Sequence, residues 1–144
     1  MEKDGGEMTR ERIRAIMRFA MAALYFAAGV AHLRSPEPFL AIVPDWVPWP
    51  SDVVMLTGVC ELAGALALLT PRLRRSAGVM LALYAICVFP ANLKHAFFDI
   101  QAPGLPTGWA YHAPRLLLQP VLVWWALYAA GVVDWPFARR DNRG

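Results

Sequence analysis

Four long apolar segments, separated by polar or proline-rich connections, dominate the hydrophobic pattern of the chain. They cover about residues 15–33, 53–69, 77–98 and 114–133. Each is close to the ~20 residues that an α-helix needs to cross the roughly 30 Å hydrocarbon core of a bilayer. The pattern therefore predicts an all-α fold, a four-transmembrane-helix bundle formed by residues 15–133.

The composition supports residence in a membrane. Charged residues make up 17% of the chain and hydrophobic residues 58%, and the mean hydropathy is +0.39. A soluble domain has about 25% charged residues, so the polar surface that water requires is missing. The 144 residues suffice for one domain, and we expect the lipid bilayer to be its main partner.

The positions of Lys and Arg predict the orientation of the bundle. Basic residues cluster before the first span, between the second and third, and after the fourth: Lys3, Arg10, Arg12, Arg14, Arg18; Arg72, Arg74, Arg75; Arg139, Arg140, Arg143. Only Arg34, Lys94 and Arg115 fall toward the other side. Because cytoplasmic loops are enriched in Lys and Arg, both termini are predicted to be cytoplasmic. Residues 1–14 then form a charged N-terminal segment and residues 134–144 a basic tail.

An alternative for the first span is the apolar core of a signal peptide, cleaved near Gly29-Val30-Ala31. The leader before it is long and contains acidic residues, and the span is long enough to cross a bilayer, so an uncleaved helix is favoured.

Several classes of function do not fit the sequence. Nucleic acid is not an expected partner, because no basic helix face accompanies the basic chain ends. No Ser-His-Asp order, phosphate-binding glycine loop or dinucleotide fingerprint occurs, which argues against soluble-type enzymes. The apolar surroundings of Cys60 and Cys87 favour packing over a disulfide scaffold.

Polar and small residues share one face on each predicted helix, since positions three, four and seven apart lie on the same side. They are Tyr25, Gly29 and His32; Thr57, Glu61, Gly64 and Leu68; Tyr84, Val88, Asn92 and His95; and His112, Arg115 and Gln119. This pattern is typical of helices whose polar faces meet inside a bundle while apolar faces contact lipid.

The depths of these residues predict a polar pocket open to the non-cytoplasmic face. Four lie near helix ends on that side: His32, His95, His112 and Arg115. Asn92 and Gln119 lie deeper, and Glu61 lies near the midplane. An acidic residue there costs about +2.5 kcal/mol or more unless it is neutral or paired. We expect Arg115 to pair with Glu61, and Asn92 and Gln119 to donate hydrogen bonds to it. The cytoplasmic half offers almost no matching polar residues, so a continuous channel is not expected.

Two prolines and three histidines need separate interpretation. Pro90 and Pro120 should leave the carbonyls of Ile86 and Leu116 without their helical donors. The histidines lack the spacing of a ligand set, so haem or metal is not an expected cofactor.

Lys94 is expected to extend to the interface. The stretch PDWVPWP is interpreted as an aromatic belt at the interface, a lid, or both.

Several motifs occur in an order known from a membrane family. They are Gly29-x-x-His32, Pro36 and Phe39, Ile42-Val43-Pro44, Val47-Pro48, Thr57-Gly58-x-x-Glu61-Leu62-x-Gly64, Leu68-Leu69, Val88-Phe89-Pro90-Ala91-Asn92 and Arg115-Leu116-x-x-Gln119. Over about residues 15–130 the chain resembles the DoxX-like family of small four-helix integral membrane proteins, which includes thiosulfate:quinone oxidoreductase subunits. The resemblance implies this fold, a bacterial-type inner membrane and an association with redox metabolism. Family likeness alone does not define a reaction.

The combined prediction is a membrane protein whose outward-facing pocket binds a small lipophilic or redox molecule. A quinone is the candidate ligand, and the protein would be a subunit or accessory of a quinone-linked oxidoreductase system. Glu61 is the candidate catalytic residue, and the pocket is lined by His32, Thr57, Asn92, His95, Arg115 and Gln119. The alternative is a non-catalytic scaffold or chaperone for a partner protein, in which these residues only fix helix packing. Whether a reaction is catalysed stays open.

Overall fold

Five α-helices make up the fold in the computed structural model, which describes residues 2–136. They are α1 (Glu2–Arg34), α2 (Glu37–Ile42), α3 (Pro50–Leu69), α4 (Arg74–Phe98) and α5 (Trp109–Ala129). No strand occurs within residues 2–136, and the all-α prediction is confirmed. The last part of the predicted tail, with Arg139, Arg140 and Arg143, lies outside the described residues.

Three of the helices are long and apolar enough to cross a membrane. These candidate spans are Met8–Arg34, Pro50–Leu69 and Arg74–Phe98. The fourth long helix, α5, has 21 residues, but His112, Arg115 and Gln119 interrupt its apolar run. Four spans and cytoplasmic termini therefore remain predictions.

The four long helices form a ring in which each packs against two neighbours. Contacts join α1 to α3, α3 to α4, α4 to α5, and α5 back to α1. A short turn, in which Leu73 N–H donates to Thr70 O, reverses the chain between α3 and α4. Trp125 Nε1 donates to Met17 O at 3.0 Å. This bond joins the second half of α5 to the first half of α1, so these two helices are also antiparallel.

Glycines set the closest approaches between helices. A Cβ placed on Gly29 of α1 would lie 2.8 Å from the carbonyl oxygen of Gly58 on α3. On α4, a Cβ at Gly78 would lie 2.8 Å from Ala126 O of α5. Small residues of this kind let helix backbones meet in a membrane, where packing rather than the hydrophobic effect drives association. The close approach at Gly29 brings α1 within reach of the polar face of α3.

The two sides of α3 show why the bundle suits a lipid environment. Its buried residues recur every three or four positions: Val54, Gly58, Glu61, Ala65 and Leu68. Large apolar side chains point outward, with Leu56 62% and Leu66 60% exposed. A soluble monomer rarely exposes a continuous apolar surface of this kind, whereas lipid covers it without cost.

The short helix α2 was not predicted from the sequence. Pro38 lies in its first turn, a position that suits proline because its missing N–H is not needed there. After α2, the chain is fastened to α4 by Lys94. Its Nζ donates to Val43 O at 2.6 Å and to Asp45 Oδ1 at 2.7 Å. Lys94 therefore holds this connection against α4, and its extension to the membrane interface stays a prediction.

Two arginines join α1 to the end of α5. Arg18 is only 6% exposed and donates to Ala129 O at 3.1 Å and to Glu11 Oε1 at 2.7 Å. Arg14 donates to Val133 O at 3.1 Å and pairs with Asp134. Cations are favourable at the C-terminal end of a helix, where carbonyls lack partners. This end of the bundle, which the Lys and Arg pattern predicts to face the cytoplasm, therefore has buried polar contacts of its own.

Candidate functional site

The carboxylate of Glu61 lies between α1, α3 and α4, and only 4% of the residue is exposed. Tyr84 O–H donates to Glu61 Oε1 at 2.7 Å. On the other side, His32 Nδ1 lies 2.9 Å from Glu61 Oε2. Thr57 Oγ1 donates to Val54 O on its own helix at 2.7 Å and lies beside Tyr84. We call His32, Thr57, Glu61 and Tyr84 the Glu61 cluster.

The two oxygens of Glu61 are not equally satisfied. His32 Nδ1 also lies 3.0 Å from Ala28 O, one turn back on α1. A carbonyl only accepts hydrogen bonds, so the ring proton is assigned to Nδ1 and to the bond with Ala28 O. Glu61 Oε2, although close to the ring, has no hydrogen-bond partner within the described chain. An unsatisfied buried acceptor of this kind costs about 1–3 kcal/mol, which marks Oε2 as a place for a proton or a ligand donor.

Aromatic rings enclose the Glu61 cluster. The ring of Phe39, from α2, stacks on His32 with centroids 3.7 Å apart and an interplanar angle of 21°. Tyr25 meets Tyr84 edge-on with centroids 5.9 Å apart. The side chain of His32 keeps 14% exposure, compared with 5% for Glu61. The imidazole is therefore more accessible than the carboxylate.

A second set of polar residues lies between α4 and α5. Asn92 Nδ2 donates to Gln119 Oε1 at 3.0 Å, and Gln119 Nε2 donates to Ala85 O. Ala85 precedes Ile86, whose carbonyl lacks its usual helical donor because Pro90 has no N–H. The hydrogen bonds of these two side-chain amides join α4 to α5 beside Pro90. We call Ala85, Asn92 and Gln119 the amide seam.

Closer to the C-terminal end of α4 than the amide seam, Arg115 contacts His95. Arg115 Nη1 lies 2.8 Å from His95 Nδ1. A guanidinium only donates, so Nδ1 of His95 must accept and its ring proton is assigned to Nε2. The guanidinium also lies over the Tyr111 ring, 5.7 Å from the centroid. These contacts hold a neutral imidazole beside a fixed cation.

Asp99 connects this region to the α4–α5 loop. It ends α4 with a positive φ of 42°, a conformation that Asp tolerates better than most residues. Its Oδ1 accepts from Gly108 N at 3.0 Å and lies 3.3 Å from His112 Nε2. The Gly108 N–H, and then the His112 imidazole, hold the pKa of the Asp99 carboxyl below its ordinary value.

The structure thus divides the predicted site residues into two groups. His32, Thr57 and Glu61 meet in one cluster, whereas the others lie between α4 and α5: Asn92, His95, Arg115 and Gln119. The expected pairing of Glu61 with Arg115 is wrong, because Arg115 contacts His95 instead. Asn92 and Gln119 bond each other instead of Glu61. Helices α3 and α5 are not neighbours in the ring, which explains why their polar groups do not meet.

Tyr84 and Phe39 are the site residues that the sequence-based prediction left out. Tyr84 lies on the same predicted face as Asn92 and His95, so its spacing was a usable signal. Phe39 was quoted only within the family motif, and no helix was predicted to carry it. Cys60 and Cys87 are both free and exposed. Within residues 2–136, no group of three or more His, Cys, Asp or Glu side chains is placed to hold a metal ion.

The architecture defines a class: an all-helical protein with three membrane-competent helices and buried polar groups between them. Comparison with known families agrees with a single unit spanning these helices. A family model described as a domain of unknown function (DUF8561) matches residues 21–130, and the chain belongs to this family. The match runs from the second half of α1 past the end of α5. No curated protein and no solved structure matches the chain.

Proposed function

We propose that the protein is a multi-pass protein of a bacterial-type inner membrane, with four transmembrane helices and both termini in the cytoplasm. Three candidate spans support this arrangement. The ring of contacts also supports it, because α5 packs against α4 and α1 as part of the same bundle. The excess of Lys and Arg at one end supports the orientation.

Within this membrane domain, the Glu61 cluster binds a small lipophilic or redox molecule, with a quinone as the candidate. The observation that carries the proposal is the unsatisfied Oε2 of Glu61, buried beside the His32 imidazole. A ligand hydroxyl can donate to this oxygen, and a proton can pass between ligand, carboxylate and imidazole. Intramembrane ionisable residues are usually functional because they are costly to keep. The resemblance to the DoxX-like family, an analogy at the level of fold, favours a subunit or accessory of a quinone-linked oxidoreductase system.

A second candidate is a scaffold or chaperone in which polar groups only hold the helices together. The amide seam favours it, since Asn92 and Gln119 bond each other and a backbone carbonyl. Interhelical hydrogen bonds of this type stabilise membrane bundles by about 1 kcal/mol each. The difference between the two proposals rests on Glu61, where the hydrogen bonding is incomplete.

The test is to purify the full chain in mild detergent, record its visible spectrum and identify co-extracted small molecules by mass spectrometry. The Glu61→Gln variant keeps the shape of the side chain and an oxygen for Tyr84 but loses the carboxylate. We expect the co-extracted molecule to be lost from this variant while the melting temperature stays close to that of wild type.

Glu37→Gln is the matched control, because Glu37 lies at the exposed start of α2. It should retain the molecule. A wild-type protein without any co-extracted molecule would contradict the proposal. So would a Glu61→Gln variant that retains the molecule but melts at a much lower temperature, which is the behaviour of a structural clamp.

A further inference from the structure

An open cleft of about 550 Å³ lies outside the Glu61 cluster, between the α2–α3 connection and the last turns of α4. Its volume is in the range of about 300–1,000 Å³ that is usual for small-molecule sites. Apolar side chains form most of its lining, among them Pro44, Trp46, Leu93 and Phe97. Trp46 is 74% exposed and Phe97 69%. A surface of this kind is suited to a hydrocarbon chain.

The position of the cleft indicates which molecule would supply the hydrocarbon chain. Leu93 and Phe97 lie in the last two turns of α4, whose candidate span ends at Phe98. The end of a span lies at the boundary between hydrocarbon and headgroups. Exposed Trp side chains are enriched at the same level. The cleft therefore opens where a bilayer lipid places the junction of its acyl chains and its headgroup.

The rim of the cleft carries one cation and one anion. Lys94 and Asp45 both line it, and their Nζ and Oδ1 atoms are 2.7 Å apart. An ammonium has three donors, of which Val43 O and Asp45 Oδ1 take two within residues 2–136. The side chain of Asp45 is 94% exposed, so most of its carboxylate faces outward. The rim thus offers one donor for a phosphate and one carboxylate for a cation.

We propose that this cleft binds a zwitterionic phospholipid with a primary ammonium, of the phosphatidylethanolamine type. An acyl chain lies along Leu93 and Phe97, the phosphate accepts from Lys94, and the headgroup ammonium donates to Asp45. The rim pair has no net charge, which matches a zwitterionic headgroup better than an anionic one. A choline headgroup has no N–H to donate to Asp45. The site is separate from the Glu61 cluster and does not depend on its ligand.

Native mass spectrometry of the full chain tests the proposal. The protein, in mild detergent, is incubated with equal amounts of phosphatidylethanolamine, phosphatidylcholine and phosphatidylglycerol. We expect one phosphatidylethanolamine to be retained in preference to the other two lipids. In Asp45→Asn the preference over phosphatidylcholine should fall about tenfold, the usual effect of losing a charge-assisted hydrogen bond. Asp52→Asn is the matched control, because Asp52 is exposed on α3 and does not line the cleft.

A second pair of variants tests the hydrocarbon part of the site. Leu93→Trp fills the cleft and should abolish retention of the bound lipid. Leu83→Trp adds the same side chain to a half-exposed position of α4 outside the cleft and should behave like wild type. Equal retention of the three lipids, a preference for phosphatidylglycerol, or normal retention by Leu93→Trp would overturn the proposal. A polypeptide found in place of the lipid would overturn it as well.

Discussion

The α1–α3 pair and the α4–α5 pair differ in the polar groups that they bury most deeply. Between α1 and α3 lie Glu61 and His32, which both change charge when they gain or lose a proton. The deepest polar groups between α4 and α5 are the amides of Asn92 and Gln119, which do not. Asn92 and Gln119 bond each other, and Gln119 also bonds Ala85 O, whereas Oε2 of Glu61 accepts no hydrogen bond within the described residues.

Structural and functional polar groups inside a bundle thus differ in how completely their hydrogen bonds are made. Hydrogen bonds between neutral amides fix the positions of two helices and need no other role. An ionisable side chain with an unsatisfied oxygen is costly, so it persists only where something compensates for that cost. Substitutions in each helix pair distinguish the two cases.

Gly29→Ala should separate α1 from α3. The added Cβ would lie 2.8 Å from the backbone oxygen of Gly58, which cannot move aside like a side chain. We expect the free energy of unfolding to fall by about 3 kcal/mol, the upper end for overpacking, as measured by denaturant titration in mild detergent. Gly6→Ala is the control, since nothing lies within 4 Å of its added Cβ. It should be neutral or slightly stabilising. Wild-type stability of Gly29→Ala would show that this close approach is not essential.

Gln119→Leu should weaken the α4–α5 pair by about 2 kcal/mol, because Asn92 and Ala85 O lose their partner in an apolar setting. Adding Asn92→Leu removes the other unsatisfied amide. The double variant should therefore lose less stability than the sum of the two single changes. Additive losses in the same denaturant titration would mean that the two amides do not act as a unit.

Asp99→Asn tests the α4–α5 loop and should have the smallest effect. The pKa of the Asp99 carboxyl is lowered in the folded protein, so its contribution to stability is present above the ordinary pKa of 3.8. It is lost as the pH falls through the lowered value. The difference in melting temperature between wild type and Asp99→Asn should thus be small at neutral pH and vanish in acid. A difference that grows on acidification would contradict the assigned hydrogen bonds.

Much of the fold was predictable because membrane spans and helix faces repeat at fixed intervals. Spacing alone placed Thr57 and Glu61 on a common face, and Tyr84, Asn92 and His95 on another. All-α architecture followed from the same pattern. The short helix α2 was not predicted because its six residues are too few to show a helical period. Prolines on both sides of it suggested a loop.

The partners of the polar residues were less predictable. Depth in the membrane suggested that Arg115 would reach Glu61, but depth does not reveal which helices are neighbours. In the ring, α3 touches α1 and α4, so Glu61 meets His32 and Tyr84. Pairing of this kind depends on helix order and rotation, which a single sequence does not specify.

The central claim is that the Glu61 carboxylate binds a ligand through Oε2, and infrared difference spectroscopy tests it most directly. Spectra of the full chain in lipid nanodiscs are recorded with and without an added quinol, for wild type, Glu61→Gln and the control Glu37→Gln. Because Oε2 accepts no hydrogen bond within the described residues, we predict that the quinol shifts a carboxylate stretching band in wild type and in the control. This shift should be missing from Glu61→Gln. Identical difference spectra for wild type and Glu61→Gln would contradict the account.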